Sequence, residues 1–190
     1  MKRARSARVE HPGAIDVRPV TTESWEAFAR LFEAKGGPHF CWCTTYRVAS
    51  SRNLNASEKK VCMRELVRAG TPIGVMAFKS DEPVGWCSVA PRDTYVRLER
   101  SRTMPRVTPV SSPTWTVLCL FVPRPHRGER IGHALLAGAV AYARDKGAAV
   151  VEGYPFDTAG VSSTHRGHSR IFRAGGFQRD GKRWFVRLRD

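Results

Sequence analysis

The stretch TWTVLCLFVPRPHRGERIGHALLAGAVAYARDKGAAVVEGY, residues 114–154, decides the fold. Thr114 to Val122 is apolar on both alternating faces, Val117, Cys119 and Phe121 on one and Leu118, Leu120 and Val122 on the other, as in a central strand covered on both sides. A turn rich in Gly and Arg follows. Ile131, Leu135, Ala139 and Tyr142 then recur at helical spacing, predicting a helix over 130–146 that Gly147 stops. Ala148 to Tyr154 reads as a second buried strand. Strand, crossover helix and strand form a βαβ unit, which sets the two strands parallel in one sheet.

Upstream, Ile15–Val20 reads as a short strand, and Thr22 as the cap of a helix over 23–35 in which Trp25, Phe28, Ala29 and Phe32 share a face. Asn55 with Glu58 three residues later is a capping-box pair opening a second helix that ends at Gly70. Ile73–Lys79 and Val84–Ala90, joined by a turn at residues 80–83, predict an antiparallel hairpin. Residues 91–113 form a long Arg-, Ser- and Pro-rich loop with one helical turn after Pro91. Downstream, a helix over 163–174 and strands near 177–179 and 183–188 complete an α/β fold with a mixed, mostly antiparallel sheet. No internal repeat is present.

A chain of 190 residues suits one domain over 14–190 behind a basic tail at 1–13. The composition, 42% hydrophobic and 26% charged, excludes global disorder. No apolar run approaches the roughly 18 to 20 residues needed to span a bilayer, and no apolar segment follows the basic start, so the expectation is a cytoplasmic protein without membrane contact. Lys plus Arg number 32 against 17 acids, a formal charge of +15, and such a field gathers anionic partners, nucleic acid and phosphorylated ligands among them. The five cysteines, odd in number and unevenly spaced, read as free thiols. His39, Cys41 and Cys43 would share a face if extended, yet they lack a fourth ligand from a separated pair, and no metal site is expected.

The chemistry is concentrated where the strand 114–122 meets the helix at 130. The first N–H groups of a helix lack intrahelical partners, and the macrodipole is positive there, so this turn with its arginines is an anion site suited to a pyrophosphate. It contains neither a Walker loop nor a dinucleotide fingerprint. Arg127-x-x-Arg130-x-Gly132 instead resembles the acyl-CoA signature of the GCN5-related N-acetyltransferases, with Arg130 where the first signature glycine is usual. The element order over 14–190 and the stretch Phe172–Phe177 (FRAGGF) carry the same resemblance.

The resemblance implies acetyl-CoA as acyl donor, lying where the strands at 114–122 and 148–154 splay apart, and transfer of acetyl to a primary amine on a small molecule or peptide. It implies donor contacts from Leu120, Phe121 and Val122, pyrophosphate contacts from Arg127, Gly128, Glu129, Arg130, Ile131, Gly132 and His133, and a contact to the CoA chain from His165. Glu152 stands in the region of family bases, with Asp157 just beyond it. Phe172 occupies the place of the tyrosine that protonates the leaving thiolate in many members, which leaves Ser169 and Tyr154 as alternative donors. Trp42, Cys43, Tyr46 and Arg47 fall where the acceptor pocket is lined, as substrate-facing or packing residues. Two further readings stand beside this one: acylation of an RNA-associated acceptor such as a ribosomal protein or aminoacyl-tRNA, and a silent acyl-CoA- or anion-binding module. Pairing into a homodimer through the last strands is a further implication.

Overall fold

A computed structural model describes residues 14–49, 53–105, 112–157 and 164–188; the basic tail lies outside these. The elements are β1 (Asp16–Pro19), α1 (Trp25–Glu33), α2 (Ala56–Arg68), β2 (Val75–Lys79), β3 (Glu82–Pro91), β4 (Thr114–Phe121), α3 (Ile131–Asp145), β5 (Val150–Gly153), α4 (Ser169–Ala174), β6 (Gln178–Asp180) and β7 (Arg183–Arg187). They build a seven-stranded sheet in the order β1-β2-β3-β4-β5-β7-β6. Every neighbouring pair is antiparallel except β4 and β5, the parallel pair that the βαβ reading requires.

Two cores sandwich the sheet. On one face Ile131, Leu135, Leu136 and Ala139 of α3 and Phe172 of α4 bury against Val75, Val89, Val117 and Val151. On the other, Phe28 and Phe32 of α1 and Met63 of α2 close over Met76, Trp86 and Trp42. Each such large side chain taken out of water stabilises the fold by roughly 1.5–3 kcal/mol. Among the described residues no helix is long and apolar enough to cross a membrane.

The capping box at α2 forms as its sequence predicts, Asn55 Oδ1 accepting from Glu58 N–H (3.0 Å) and Glu58 Oε2 from Asn55 N–H (2.7 Å). Two helices depart from expectation. α1 begins at Trp25 and not at Glu23, because Ser24 Oγ accepts from Thr21 N–H (2.8 Å) and holds residues 21–24 in a turn. α4 is confined to Ser169–Ala174: Thr164–Arg166 form a separate 3₁₀ turn, and Gly167 at φ +83° breaks the path before His168 caps the helix.

Candidate active site

The register of β4 leaves its last residues without a strand partner on one side. On its β5 side, pairing ends at Val117↔Gly153 although β4 continues to Phe121, so Leu118–Phe121 lie beyond the end of β5. On its β3 side Ser88 faces Cys119 and Val89 faces Val117, which makes Leu118 an extra, bulged residue. Leu118 and Cys119, neighbours in the chain, therefore both turn away from the α3 core that Val117 joins.

Beyond β4 the chain makes a 3₁₀ turn at Arg124–His126 and enters α3 through Gly128 (φ +91°) and Arg130 (φ +60°). Arg130 thus occupies the left-handed region that a glycine adopts without penalty, at a cost of about 1–2 kcal/mol for a residue with a Cβ. That cost explains why the signature favours glycine there. Arg124, Arg127 and Arg130 are exposed beside the first turn of α3, while no atom lies within 4 Å of the place a Gly128 Cβ would take. Amides, glycine and guanidiniums together fit a phosphate-bearing ligand.

Several predicted contacts are already engaged within the chain. Arg127 Nε donates to the Val122 carbonyl at 3.2 Å. Glu129 turns aside to Lys79 (2.7 Å), whose ammonium is the main reason its carboxyl is held below the usual range. Gly132 backs onto α4: a Cβ there would stand 3.1 Å from Ile171 Cδ1. Ile131 is buried in the core, His133 is half-buried, and His165 sits exposed on the 3₁₀ turn before Gly167.

On the sheet face away from α3 lies a buried polar cluster that the sequence reading assigned only in part. Glu152, 1% exposed, pairs through Oε1 with Arg92 and through Oε2 with Arg183 Nε (2.6 Å), and Thr116 Oγ1 donates to Oε1 (3.1 Å). Arg92 also donates to the Tyr154 hydroxyl (3.1 Å) and the Met104 carbonyl (2.8 Å). The Tyr154 phenol lies 3.1 Å from the Pro105 carbonyl and 3.4 Å from Glu152 Oε1. Burial, reinforced by the Glu152 charge, pushes its pKa up to about 12. Arg92 was legible in principle: the alternation that puts Ser88 and Ala90 on one face of β3 carries on to it one step past the strand.

Arg47 anchors a second cluster. It is 6% exposed and donates to the Ile73 carbonyl (2.8 Å) and the Tyr95 hydroxyl (3.1 Å), with its guanidinium 4.3 Å over the Tyr95 ring. Tyr46 walls a neighbouring cavity. Trp42 belongs to the core, 1% exposed and stacked 5.1 Å from Phe32, and Cys43 Sγ accepts from Trp86 Nε1 (3.2 Å). The extended path that would align His39, Cys41 and Cys43 is not taken, since Trp42 and Cys43 have φ of 44° and 51°. Among the described residues no group of three or more His, Cys, Asp or Glu side chains converges as a metal site. Phe172 is fully buried against Phe177, Ser169 is buried at the start of α4, and Asp157 pairs with Arg179 (3.2 Å).

Comparison with known proteins bears on what such a site does. A family model described as the acetyltransferase (GNAT) family matches residues 23–156. Among solved structures, a GNAT family acetyltransferase from Brucella melitensis in complex with acetyl-CoA superposes with a TM-score of 0.50 at 12% identity, covering 94% of this chain and 90% of that one. A ribosomal-protein-alanine N-acetyltransferase from Brucella melitensis gives 0.51 at 17% identity, covering 90% and 99%. A GCN5-related N-acetyltransferase from Kribbella flavida gives 0.50 at 14% identity; the match takes in 88% of this chain and only 33% of that longer one. No curated protein sequence matches.

Proposed function

The chain belongs to the acetyltransferase (GNAT) family, and from that premise we propose that it transfers acetyl from acetyl-CoA to a primary amine of a small molecule or peptide. The observation that carries this reading is the β4–β5 pair, parallel to Val117↔Gly153 and unpaired beyond, directly ahead of a left-handed turn that opens α3. Acetyl-CoA supplies a thioester: the amine nitrogen bonds to its acyl carbon, the carbon–sulfur bond breaks, and the thiolate leaves with the electron pair and takes up a proton.

In this proposal the β4 edge from Leu118 to Phe121 and Val122 orients the donor, and its N–H groups face the charge that develops on the acyl oxygen. The α3 amides with Arg124, Arg127 and Arg130 hold the pyrophosphate, and His165 flanks the chain between. Tyr154 stands one residue beyond the last β4–β5 pair and keeps its phenolic proton at neutral pH, so it is the proton donor we favour over Ser169. Glu152, with both oxygens given to arginines, is the anchor of Tyr154 and Arg92 in place of a base.

Calorimetric titration with acetyl-CoA at physiological and at high salt, with ATP as control, tests the donor site. Selective micromolar heat that survives salt supports it; heat matched by ATP overturns it. Thiol released in the presence of amines then reads transfer directly.

A further inference from the structure

On the face that bears Leu118 and Tyr154, a cavity of ≈ 540 Å³ is walled by Tyr46, Val96, Arg97, Arg100, Thr103 and Met104, among others. That volume suits a molecule of amino-acid to small-peptide size. Its surroundings are cationic to an unusual degree. Arg97 and Arg100 form part of the wall. Arg166, on the 3₁₀ turn, lies against the Met104 part of that wall, Nη1 3.6 Å from Met104 Sδ and the guanidinium 4.0 Å above the Phe156 ring. Arg47, next to Tyr46, is buried, and its Nε has no hydrogen-bond partner.

Among the described residues, no carboxylate pairs with Arg47, Arg97, Arg100 or Arg166. Glu152 is spent on Arg92 and Arg183, and Glu99 and Asp93 are exposed, Glu99 lying 3.9 Å from Arg92 Nε. Arg47 is buried and Arg97 and Arg166 are half-buried, while Arg100 is exposed on the cavity wall; a guanidinium partly withdrawn from water without a carboxylate is costly, and an arriving anion would offset that cost. Desolvation is visible at Arg166, whose pKa burial lowers. Phe156 lies against one face of the Arg166 guanidinium and Met104 at its edge, and a planar fork so placed can grip a carboxylate or phosphate by two bonds.

We propose that the acceptor is a small amine that also carries an anionic oxygen group, carboxylate or phosphate, held by Arg166 and Arg100 with its nitrogen turned toward Leu118 and Tyr154. This rests on the acetyl-transfer reading and names the substrate class of that same site. The positive field has a second effect. It disfavours the ammonium form of the bound acceptor, so the attacking neutral amine is populated without a dedicated side-chain base, which is consistent with Glu152 being fully engaged elsewhere.

The test is thiol release at saturating acetyl-CoA with matched acceptors: each α-amino acid against its amide, and phosphoethanolamine against ethanolamine. The anionic member of a pair should have a kcat/KM about tenfold higher or more, and the two sets tell carboxylate from phosphate. Arg166→Ala should raise KM for the anionic acceptors about tenfold and change KM for their neutral partners far less, with Arg166→Lys in between. Equal use of acids and amides, an equal loss on both in Arg166→Ala, or no turnover of any anionic amine by protein that binds acetyl-CoA would each overturn the inference. If acetyl-CoA gives no heat, the acetyl-transfer reading fails instead. The anion site is then judged alone: the acids should raise the melting temperature of the wild type and not of Arg166→Ala, and no rise overturns it.

Discussion

The two ends of the site proposed at the β4–β5 junction are built from different materials. At the proposed phosphate end the parts are local: amides at the head of α3, an open glycine and the exposed guanidiniums of Arg124, Arg127 and Arg130 on one short run of chain. At the proposed acceptor end they are side chains drawn from afar, Arg92 just past β3, Glu152 and Tyr154 in and just past β5 and Arg183 on β7, tied together by hydrogen bonds. A site of backbone amides with several exposed charges tolerates loss of any one side chain, whereas a buried network is weakened when one member is removed. The contrast is quantitative.

The largest effect is expected at Glu152→Gln, which strands two guanidiniums in the interior and should lower the unfolding free energy by about 3–5 kcal/mol in denaturant titration. A loss of turnover without loss of stability would make Glu152 a base after all. Tyr154→Phe keeps the ring but removes the hydroxyl that accepts from Arg92; stability should fall by about 1–3 kcal/mol, and kcat of the folded protein about 100-fold, near 2.7 kcal/mol of barrier, with acetyl-CoA affinity unchanged. Because burial holds this phenol at about 12, the wild-type rate should rise with pH as the acceptor amine deprotonates and show no alkaline decline up to about pH 10. Arg127→Ala should weaken acetyl-CoA binding only several-fold, about 1 kcal/mol, and flatten its salt dependence in calorimetry. Smallest is Arg130→Gly: relief of the left-handed backbone and the greater freedom of glycine in the unfolded chain offset one another, leaving stability within about 1 kcal/mol of wild type in thermal melts.

The same contrast explains what the sequence disclosed. The phosphate end is local, so the apolar strand, the turn and the helix start can be read in order from Leu118 to Leu136, and the structure places all of them as expected. The acceptor end is non-local. Arg92 and Glu152 are 60 residues apart in the chain and Glu152 and Arg183 are 31 apart, and no spacing rule links residues that meet only across a sheet. Helix ends were missed where a side chain competes for the backbone, as Ser24 does at α1, or where a glycine redirects it, as Gly167 does before α4. Trp42 and Cys43 turn the chain at positive φ, which nothing in a tryptophan or a cysteine announces, so the extended arrangement that would align His39, Cys41 and Cys43 does not form.

The sheet finishes on short strands at both margins, four residues in β1 and three in β6. Each margin is fenced with charge: Arg18 binds Asp16 and Asp81 beside β1, and Arg179 of β6 binds Asp157. Among the described residues these margins carry no further strand, and so brief and charged an edge is a poor template for another chain. The consequence is colloidal: crowded copies of this protein gain little from edge-to-edge strand addition, which closes the commonest route from a folded sheet to a fibril.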